Sequence, residues 1–206
     1  IPNQPSQPAV FAGIRTEADN ITLRSNLVSG NAGGGIWMTS SSDNFIEDNR
    51  VGTTADGNSA LPNGGVGLYI EGSSINNSIA DNLVSGNAGN GIRLYNGPSH
   101  NVIIGNTVGL NATRTAAVPN QIFGINIELN SPDNTVGGTT PGSGNVVAGN
   151  ISAGVRIVNG ADRTIVRGNW IGTNSSMAAG LGNTGPGVHI YNSEDVEIGG
   201  TDPNAG

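Results

Sequence analysis

Gly91-Ile-Arg-Leu-Tyr-Asn-Gly-Pro-Ser-His-Asn-Val-Ile-Ile-Gly-Asn106 is the stretch that decides the fold. It runs from a glycine through four alternately apolar and polar residues, a polar turn and a second apolar run to a closing asparagine. Alternation with a period of two, carried by branched side chains, is typical of a half-buried strand. The stretch therefore predicts two short strands joined by a turn, a unit too small to be stable alone.

The same unit recurs along the chain. Its opening glycines are Gly13, Gly35, Gly67, Gly91, Gly124, Gly154 and Gly187, at intervals of 22, 32, 24, 33, 30 and 33 residues. These intervals leave no room for an ordinary helix, and no stretch has helical periodicity. Since stacked strands would be parallel and parallel crossovers are almost always right-handed, the sequence predicts an all-β right-handed parallel β-helix of about seven coils. The first and third residues after each glycine should form its core.

Two series of asparagines mark the corners of the predicted coils. One stands four residues before six of the opening glycines: Asn31, Asn63, Asn87, Asn120, Asn150 and Asn183. The other closes the second strand: Asn26, Asn49, Asn82, Asn106, Asn145 and Asn169. Asparagine tolerates left-handed backbone and bonds neighbouring main chain, and stacked asparagines form ladders. All twelve are predicted to be structural.

The spacing between the two series alternates between two values. It is five residues in the short coils, 26–31, 82–87 and 145–150, and fourteen in the long coils, 49–63, 106–120 and 169–183. The pair of coils is therefore the repeating unit, and the long loops should emerge on one side at every second layer. An insertion, G-G-T-T-P-G-S-G, lengthens one short coil after Val136, and a similar segment follows Ile198.

Residues 1–9, with three prolines, predict an extended lead-in or linker, and residues 10–206 predict a single β-helix that is part of a longer solenoid.

Composition and charge limit the possible partners. The net charge of -7 without any lysine disfavours nucleic acid, and no apolar run is long enough for a membrane span. Cysteine is absent, which excludes thiolate metal sites. A chain that begins without Met and stops within a repeat is expected to be processed or cut from a longer protein.

The blocks N-T-V-G-G-T-T-P-G-S-G-N-V-V-A-G-N and G-N-W-I-G-T-N-S-S-M-A-A-G-L-G-N-T-G-P-G-V-H-I resemble the repeats of right-handed parallel β-helix proteins in the pectate-lyase-like superfold. The resemblance covers about residues 10–206. It implies a large microbial protein that is secreted or displayed on the cell surface. Since this superfold includes lyases, hydrolases, epimerases, adhesins and inert stalks, the resemblance alone does not choose a function.

Outward positions of the first strand carry the residues with the most functional character. The candidates for glycan binding are Trp37, Tyr69, Glu71, Arg93, Tyr95, Glu128, Arg156, His189 and Tyr191. Aromatic planes beside arginine and carboxylate suit a sugar polymer, and the resemblance implies glycan binding along this face, as in related β-helix enzymes. The alternative is a plain sheet surface, since such cross-strand pairs stabilise any sheet by about 0.2–1 kcal/mol each.

Catalysis has weaker support in the sequence. Glu71 and Glu128 would lie two layers apart, near the upper limit of about 9.5 Å for a glycosidase pair. A calcium-dependent lyase would need clustered aspartates, but Asp43, Asp48, Asp81, Asp133 and Asp195 are scattered over turns. No cofactor is therefore predicted, and calcium has no support. Neither histidine, His100 or His189, has a recognisable Ser or Cys partner.

Three functions remain open at this stage. The first is a non-catalytic structural or glycan-binding solenoid segment. The second is a polysaccharide-active enzyme acting on the face between Trp37 and Tyr191. The third is a subunit that polymerises end to end, through contacts with further coils or identical copies. A polysaccharide is the predicted ligand in the first two.

Overall fold

Twenty short strands make up the regular structure of the described chain. The computed structural model describes residues 11–200, so the predicted lead-in at residues 1–9 and the end of the second insertion, residues 201–206, lie outside the described residues. In chain order the strands are β1 (Ile14–Thr16), β2 (Thr22–Arg24), β3 (Leu27–Val28), β4 (Ile36–Thr39), β5 (Phe45–Glu47), β6 (Arg50–Val51), β7 (Leu68–Glu71), β8 (Ser78–Ala80), β9 (Leu83–Val84), β10 (Ile92–Tyr95), β11 (Val102–Ile104), β12 (Thr107–Val108), β13 (Ile125–Glu128), β14 (Thr135–Gly137), β15 (Val146–Val147), β16 (Val155–Val158), β17 (Ile165–Arg167), β18 (Trp170–Ile171), β19 (Val188–Tyr191) and β20 (Glu197–Ile198).

The strands form three parallel sheets, each taking one strand per coil. Sheet 1 has the order β1-β4-β7-β10-β13-β16-β19, sheet 2 the order β2-β5-β8-β11-β14-β17-β20, and sheet 3 the order β3-β6-β9-β12-β15-β18. Every third strand is thus a neighbour, which is the topology of a parallel β-helix. The predicted all-β helix of about seven coils is confirmed by the seven strands of sheets 1 and 2.

One apolar core runs along the axis between the three sheets. On sheet 1, Ile92 pairs in register with Leu68 on one side and Ile125 on the other, and all three are fully buried. The predicted third-position column behaves in the same way, with Leu94 and its neighbours at 0% exposure. Sheet 2 supplies one inward column and sheet 3 another, so each coil contributes only a few aliphatic side chains and stacking completes the core.

Both predicted asparagine ladders are present. In the first, Nδ2 of each residue donates to Oδ1 of the next, from Asn31 to Asn183, at 2.8–3.0 Å. In the second, the same bond links every rung from Asn26 to Asn169, also at 2.8–3.0 Å. The amides therefore satisfy one another along the corners, where a buried polar side chain would otherwise be costly.

A third ladder lies between sheets 1 and 2, at a corner for which no asparagine series was predicted. Asn44, Asn77, Asn101 and Asn134 are linked by amide bonds of 2.8, 2.9 and 3.0 Å. Each stands immediately before the sheet 2 strand of its coil, and that constant position is the sequence signal for it. In the next coil Thr164 takes the position, and its hydroxyl turns to the carbonyl of Ala161.

The long loops fold back as hairpins and explain why short and long coils alternate. Antiparallel bridges close the first two, between Thr53 and Ala60 and between Leu110 and Ala117. Each long loop then accepts a backbone hydrogen bond from the short coil before it. These bonds are Gly30 N to Leu61 O at 3.2 Å, Gly86 N to Val118 O at 2.9 Å and Gly149 N to Leu181 O at 2.8 Å. A short coil thus leaves a corner that the following long loop covers.

The long loops also contact one another, which is possible because they emerge on one side of the helix, as predicted. Ala112 N donates to Gly57 O at 3.0 Å, which joins the first two loops. Asn174 Nδ2 donates to Arg114 O at 2.7 Å, which joins the second and third. Beneath them, Leu110, Val146, Ala148 and Leu181 form a second small core outside the three-sheet barrel. The loops are therefore a packed ridge along the helix.

Gly109→Ala is expected to be more destabilising than the equivalent Gly172→Ala. Both glycines open a long loop in the left-handed region, at φ 94° and 80°, so both substitutions should lose about 1–2 kcal/mol of unfolding free energy. At Gly109 the added methyl would also collide with the carbonyl oxygen of Ala148, whereas at Gly172 the nearest atom is 4.0 Å away. The collision should add about 1–3 kcal/mol. Urea unfolding of the two variants measures the difference, and equal losses would contradict it.

Candidate functional site

The nine predicted binding residues lie in two neighbouring columns on the outer face of sheet 1. One column contains Trp37, Tyr69, Arg93, Arg156 and His189, together with Asn126. The other contains Glu71, Tyr95, Glu128 and Tyr191, together with Thr39 and Val158. The fold therefore places all nine on one surface, which follows from the strand register alone.

The aromatic side chains at one end of this face pack together. The ring centroids of Trp37 and Tyr69 are 4.7 Å apart at 66°, and those of Tyr69 and Tyr95 are 6.1 Å apart at 47°. Val66 closes the cluster against Trp37 and Tyr69, which are only 7% and 8% exposed. Both rings thus contribute mainly to packing, and Tyr95, which is half-buried, is the ring of this cluster with most access to a ligand.

Arg93 connects the aromatic cluster to the acidic part of the face. Its guanidinium carbon lies 4.2 Å from the ring centroid of Tyr95 and 5.4 Å from that of Tyr69. Its Nη2 lies 2.6 Å from Oε1 of Glu128 on the next coil. A cation held between ring faces and a carboxylate is stabilised by both, because the ring quadrupole and the anion attract the same charge.

Glu128 is bound from both sides. Arg156 Nη1 lies 2.9 Å from its Oε2, and Asn126 Nδ2 donates to its Oε1 at 2.9 Å. The side chains of Glu128, Arg93 and Arg156 are 12%, 20% and 14% exposed, so this network is largely withdrawn from water. Both carboxylate oxygens are held by donors, which makes Glu128 a link between three successive coils.

Glu71 has a different environment from Glu128. Thr39 Oγ1 donates to its Oε1 at 3.4 Å, and it is half-buried beside Tyr69. Tyr95 pairs in register with Glu71 on one side and Glu128 on the other, so an aromatic residue separates the two carboxylates. The sequence predicted no catalytic residue here, and the polysaccharide-active enzyme stays an alternative hypothesis.

The far end of the face lies in the last coil of the described chain, where β19 is the edge strand of sheet 1. Tyr191 is 65% exposed and His189 is exposed, whereas Val158 beside them is fully buried. Among the predicted residues these two are therefore the most accessible to solvent. Their proximity to Arg156, which pairs in register with His189, gives this end an arginine, an imidazole and a phenol on neighbouring strands.

Residues immediately before the opening glycines also contribute to the face, and sequence reasoning missed them. Phe123 precedes Gly124, and its ring lies 4.9 Å from the guanidinium carbon of Arg156. Val66 precedes Gly67 in the same way and covers the Trp37 and Tyr69 rings. The signal was their constant position, one residue before a glycine whose strand begins the sheet.

The scattered aspartates do not assemble into a metal centre within the part of the chain described. Among residues 11–200 no three His, Asp or Glu side chains lie close enough together to hold a metal ion. Asp133 instead receives two hydrogen bonds from Arg163, at 2.6 and 2.7 Å, and this partner lowers the pKa of the carboxyl. In the same range there is no helix with the length and apolar character needed to cross a membrane.

Tyr69 should make the protein sensitive to alkali. Burial, and then its hydrogen bond to Glu71, raises the pKa of the Tyr69 phenol well above 10.0. Above pH about 10 the unfolded chain therefore releases a proton that the folded chain keeps, so stability falls as pH rises. Thermal unfolding between pH 8 and 11 should show this fall in the parent and a smaller one in Tyr69→Phe. Tyr191→Phe, at the 65% exposed ring, is the control and should behave as the parent.

Comparison with known proteins agrees with this architecture. No curated protein and no solved structure matches the chain. A family model described as the right-handed beta helix region matches residues 11–201, which is nearly the whole length and includes every strand of the three sheets. By its three parallel sheets, its stacked asparagines and this match, the chain belongs to the right-handed β-helix family.

Proposed function

We propose that this chain is a rigid structural segment of a secreted or cell-surface protein, and that it holds other parts of that protein apart at a fixed distance. The observation that supports this best is the continuity of the axial hydrogen bonding. Sheets 1 and 2 link each coil of the described chain to the next, two amide ladders run along six coils, and the third ladder joins four. Bending such a helix would stretch bonds at every corner at once.

The charged network on the outer face of sheet 1 supports the same proposal. Arg93 and Arg156 both direct their charge to Glu128, and each belongs to a different coil. An ion network that spans three strands adds to stiffness because all three side chains are held at once. A binding surface would instead direct such donors outward, to a ligand.

Distances between spin labels test the proposed rigidity. Thr22 and Glu197 occupy the same outward column of sheet 2 in the first and last coils, and both are exposed. The natural chain contains no cysteine, so Thr22→Cys with Glu197→Cys gives two unique labelling sites. Six layers of about 4.8 Å separate the two residues, so the distances between the labels should form one narrow distribution centred at about 29 Å.

A second label pair gives the control for this measurement. Phe45 lies one layer beyond Thr22 and is 51% exposed. Labels at Phe45→Cys and Glu197→Cys should shift the distribution by about 4.8 Å without broadening it. A broad or two-peaked distribution under native conditions, in either pair, would refute a rigid spacer.

Glycan binding on the outer face of sheet 1 is the second candidate. It is favoured by Tyr95, whose half-buried ring lies against the Arg93 guanidinium at 4.2 Å, an arrangement that presents one aromatic plane beside a donor. An array of neutral and acidic polysaccharides should show binding that Tyr95→Ala removes. Phe45→Ala removes an exposed ring from sheet 2 and should leave it unchanged. If the parent binds nothing on the array, this candidate fails and the spacer remains.

A further inference from the structure

A cavity of about 410 Å³ lies between the insertion after Val136 and the strand that contains Trp170. Thr139, Thr140, Asn169 and Trp170 line it, together with four glycines and one proline. This volume is within the range of about 300–1,000 Å³ that is usual for small-molecule sites. The cavity belongs to the sheet 3 side of coils five and six, away from the outer face of sheet 1.

The insertion that forms one wall of this cavity has a defined conformation. Ser143 donates to Thr140 O from its backbone N at 3.0 Å and from Oγ at 2.7 Å, which closes the loop on itself. Gly105 N donates to Ser143 O at 3.0 Å, which fixes the loop to the preceding coil. At Gly144 a methyl group would collide with Gly168 O, so glycine there permits the close approach of the two coils.

Trp170 forms another wall and is held in place from behind. Its backbone N donates to Asn145 O at 2.9 Å, and its side chain packs against the small core of Leu110, Val146, Ala148 and Leu181. The indole is only partly buried, so packing holds it without covering it. Gly142, another lining residue, is exposed, and a methyl group there would meet no atom within 4 Å.

We propose that this cavity binds one sugar ring of a neutral polysaccharide. A pyranose has an apolar face of C–H groups and a rim of hydroxyls. The lining matches both, because it offers the apolar indole of Trp170 together with the hydroxyls of Thr139 and Thr140. Trp is suited to such sites because its large apolar surface needs little ordering to make contact.

The charge of the site selects a neutral sugar over an acidic one. None of the described residues that line the cavity is charged, and the whole chain carries a net charge of -7. A neighbouring cavity of about 360 Å³ shows the contrast, because Asp48, Asp81, Arg50 and Arg114 all line it. A uronic acid in the Trp170 cavity would have no cation to pair with there, and burying its carboxylate would be unfavourable.

This proposal is independent of the spacer function, and it places the sugar on a different surface from the glycan-binding candidate at Tyr95, so Tyr95→Ala distinguishes the two. It requires neither the stiffness of the helix nor the outer face of sheet 1, where Trp37 and Tyr95 lie. A rigid spacer with this cavity would also attach to a polysaccharide, so the spacer can fail without affecting the site. The cavity can likewise fail to bind sugar without affecting the spacer function, because the asparagine ladders do not depend on a bound sugar.

The protein contains only two tryptophans, which makes the site directly observable. In Trp37→Phe the remaining indole is Trp170, so its fluorescence should change saturably when cellohexaose, xylohexaose or mannohexaose is added. Calorimetric titration should show that Trp170→Leu binds the same oligosaccharide about tenfold more weakly, the order of effect expected from removal of one stacking ring. Parent, Trp37→Phe and Tyr95→Ala should bind equally, and hexagalacturonate should not bind.

Several results would overturn the proposal. One is the absence of saturable binding to all three neutral oligosaccharides by the parent and by Trp37→Phe. Another is equal binding by Trp170→Leu, and a third is loss of binding in Tyr95→Ala instead, which would place the sugar on sheet 1. If Trp170→Leu unfolds, Thr139→Val with Thr140→Val takes its place, because both are loop residues at the cavity wall, and unchanged binding in that double variant would refute the site.

Discussion

Replacement of Asn106 with alanine is expected to lower the free energy of unfolding by about 3–5 kcal/mol. Asn106 is fully buried, and its Oδ1 accepts from both the backbone N and Nδ2 of Asn82, at 2.9 and 3.0 Å. Its Nδ2 donates to Asn145 Oδ1 at 2.9 Å. Alanine would leave the backbone N of Asn82 buried without a partner, which costs about 1–3 kcal/mol. Asn82 Nδ2 would keep its bond to Ile46 O and Asn145 Oδ1 its bond from Asn106 N, so each would lose one of two bonds, at about 0.5–1.5 kcal/mol apiece.

Urea unfolding followed by circular dichroism measures this loss. Asn58→Ala is the matched control, because Asn58 is also an asparagine that makes hydrogen bonds but lies exposed in the first long loop. It should change stability by no more than about 0.5 kcal/mol. Equal effects at Asn106 and Asn58 would show that the ladder does not stabilise the fold.

Ile92→Asp should have the largest effect of any single substitution considered, with a loss of more than about 4 kcal/mol. Ile92 is fully buried between Leu68 and Ile125, so a carboxylate there would face the core at two interfaces between coils. Ile92→Ala should lose about 2–5 kcal/mol, because it leaves a cavity without burying a charge. The two variants thus separate the effect of charge from that of lost volume.

Thermal unfolding of both variants, with Ile151→Asp as control, is the appropriate measurement. Ile151 is an isoleucine too, but it lies at a coil corner and is 46% exposed, so a carboxylate there would contact water. The control should remain folded with a cooperative transition close to that of the parent. A stable Ile92→Asp protein would contradict the inward direction assigned to this column.

The sequence was sufficient to predict the β-helix because its signals repeat at every coil. Ile92, for example, follows an opening glycine, and an apolar residue follows each of the other six. The pattern of each coil therefore supports the strand predicted in the others. The Asn106 ladder was predictable for the same reason. The ladder through Asn101 has equal regularity along four coils, but it is followed by Thr164 in the next coil, and a column interrupted in this way is harder to detect in one sequence.

The candidate site was predictable only as far as strand register determines it. Alternation placed Trp37 and Tyr69 on the outer face of sheet 1, where they lie, but it predicted nothing about what covers them. Val66, which stands one residue before the opening glycine of its coil, packs against both rings. The Trp170 cavity depends in the same way on how the insertion folds against the next coil, a contact that no periodic pattern encodes.

The hydrogen bond by which each long loop covers the short coil before it also bears on how such chains change in evolution. Gly86 N has Val118 O as its partner, from the coil that follows. Duplication or deletion of one coil would place two short coils in succession, which leaves one such corner without its cover, or two long ones, which leaves one loop without a short coil to cover. Duplication of a short coil together with its long neighbour would preserve every cover. Homologous chains of different length should therefore differ by even numbers of coils.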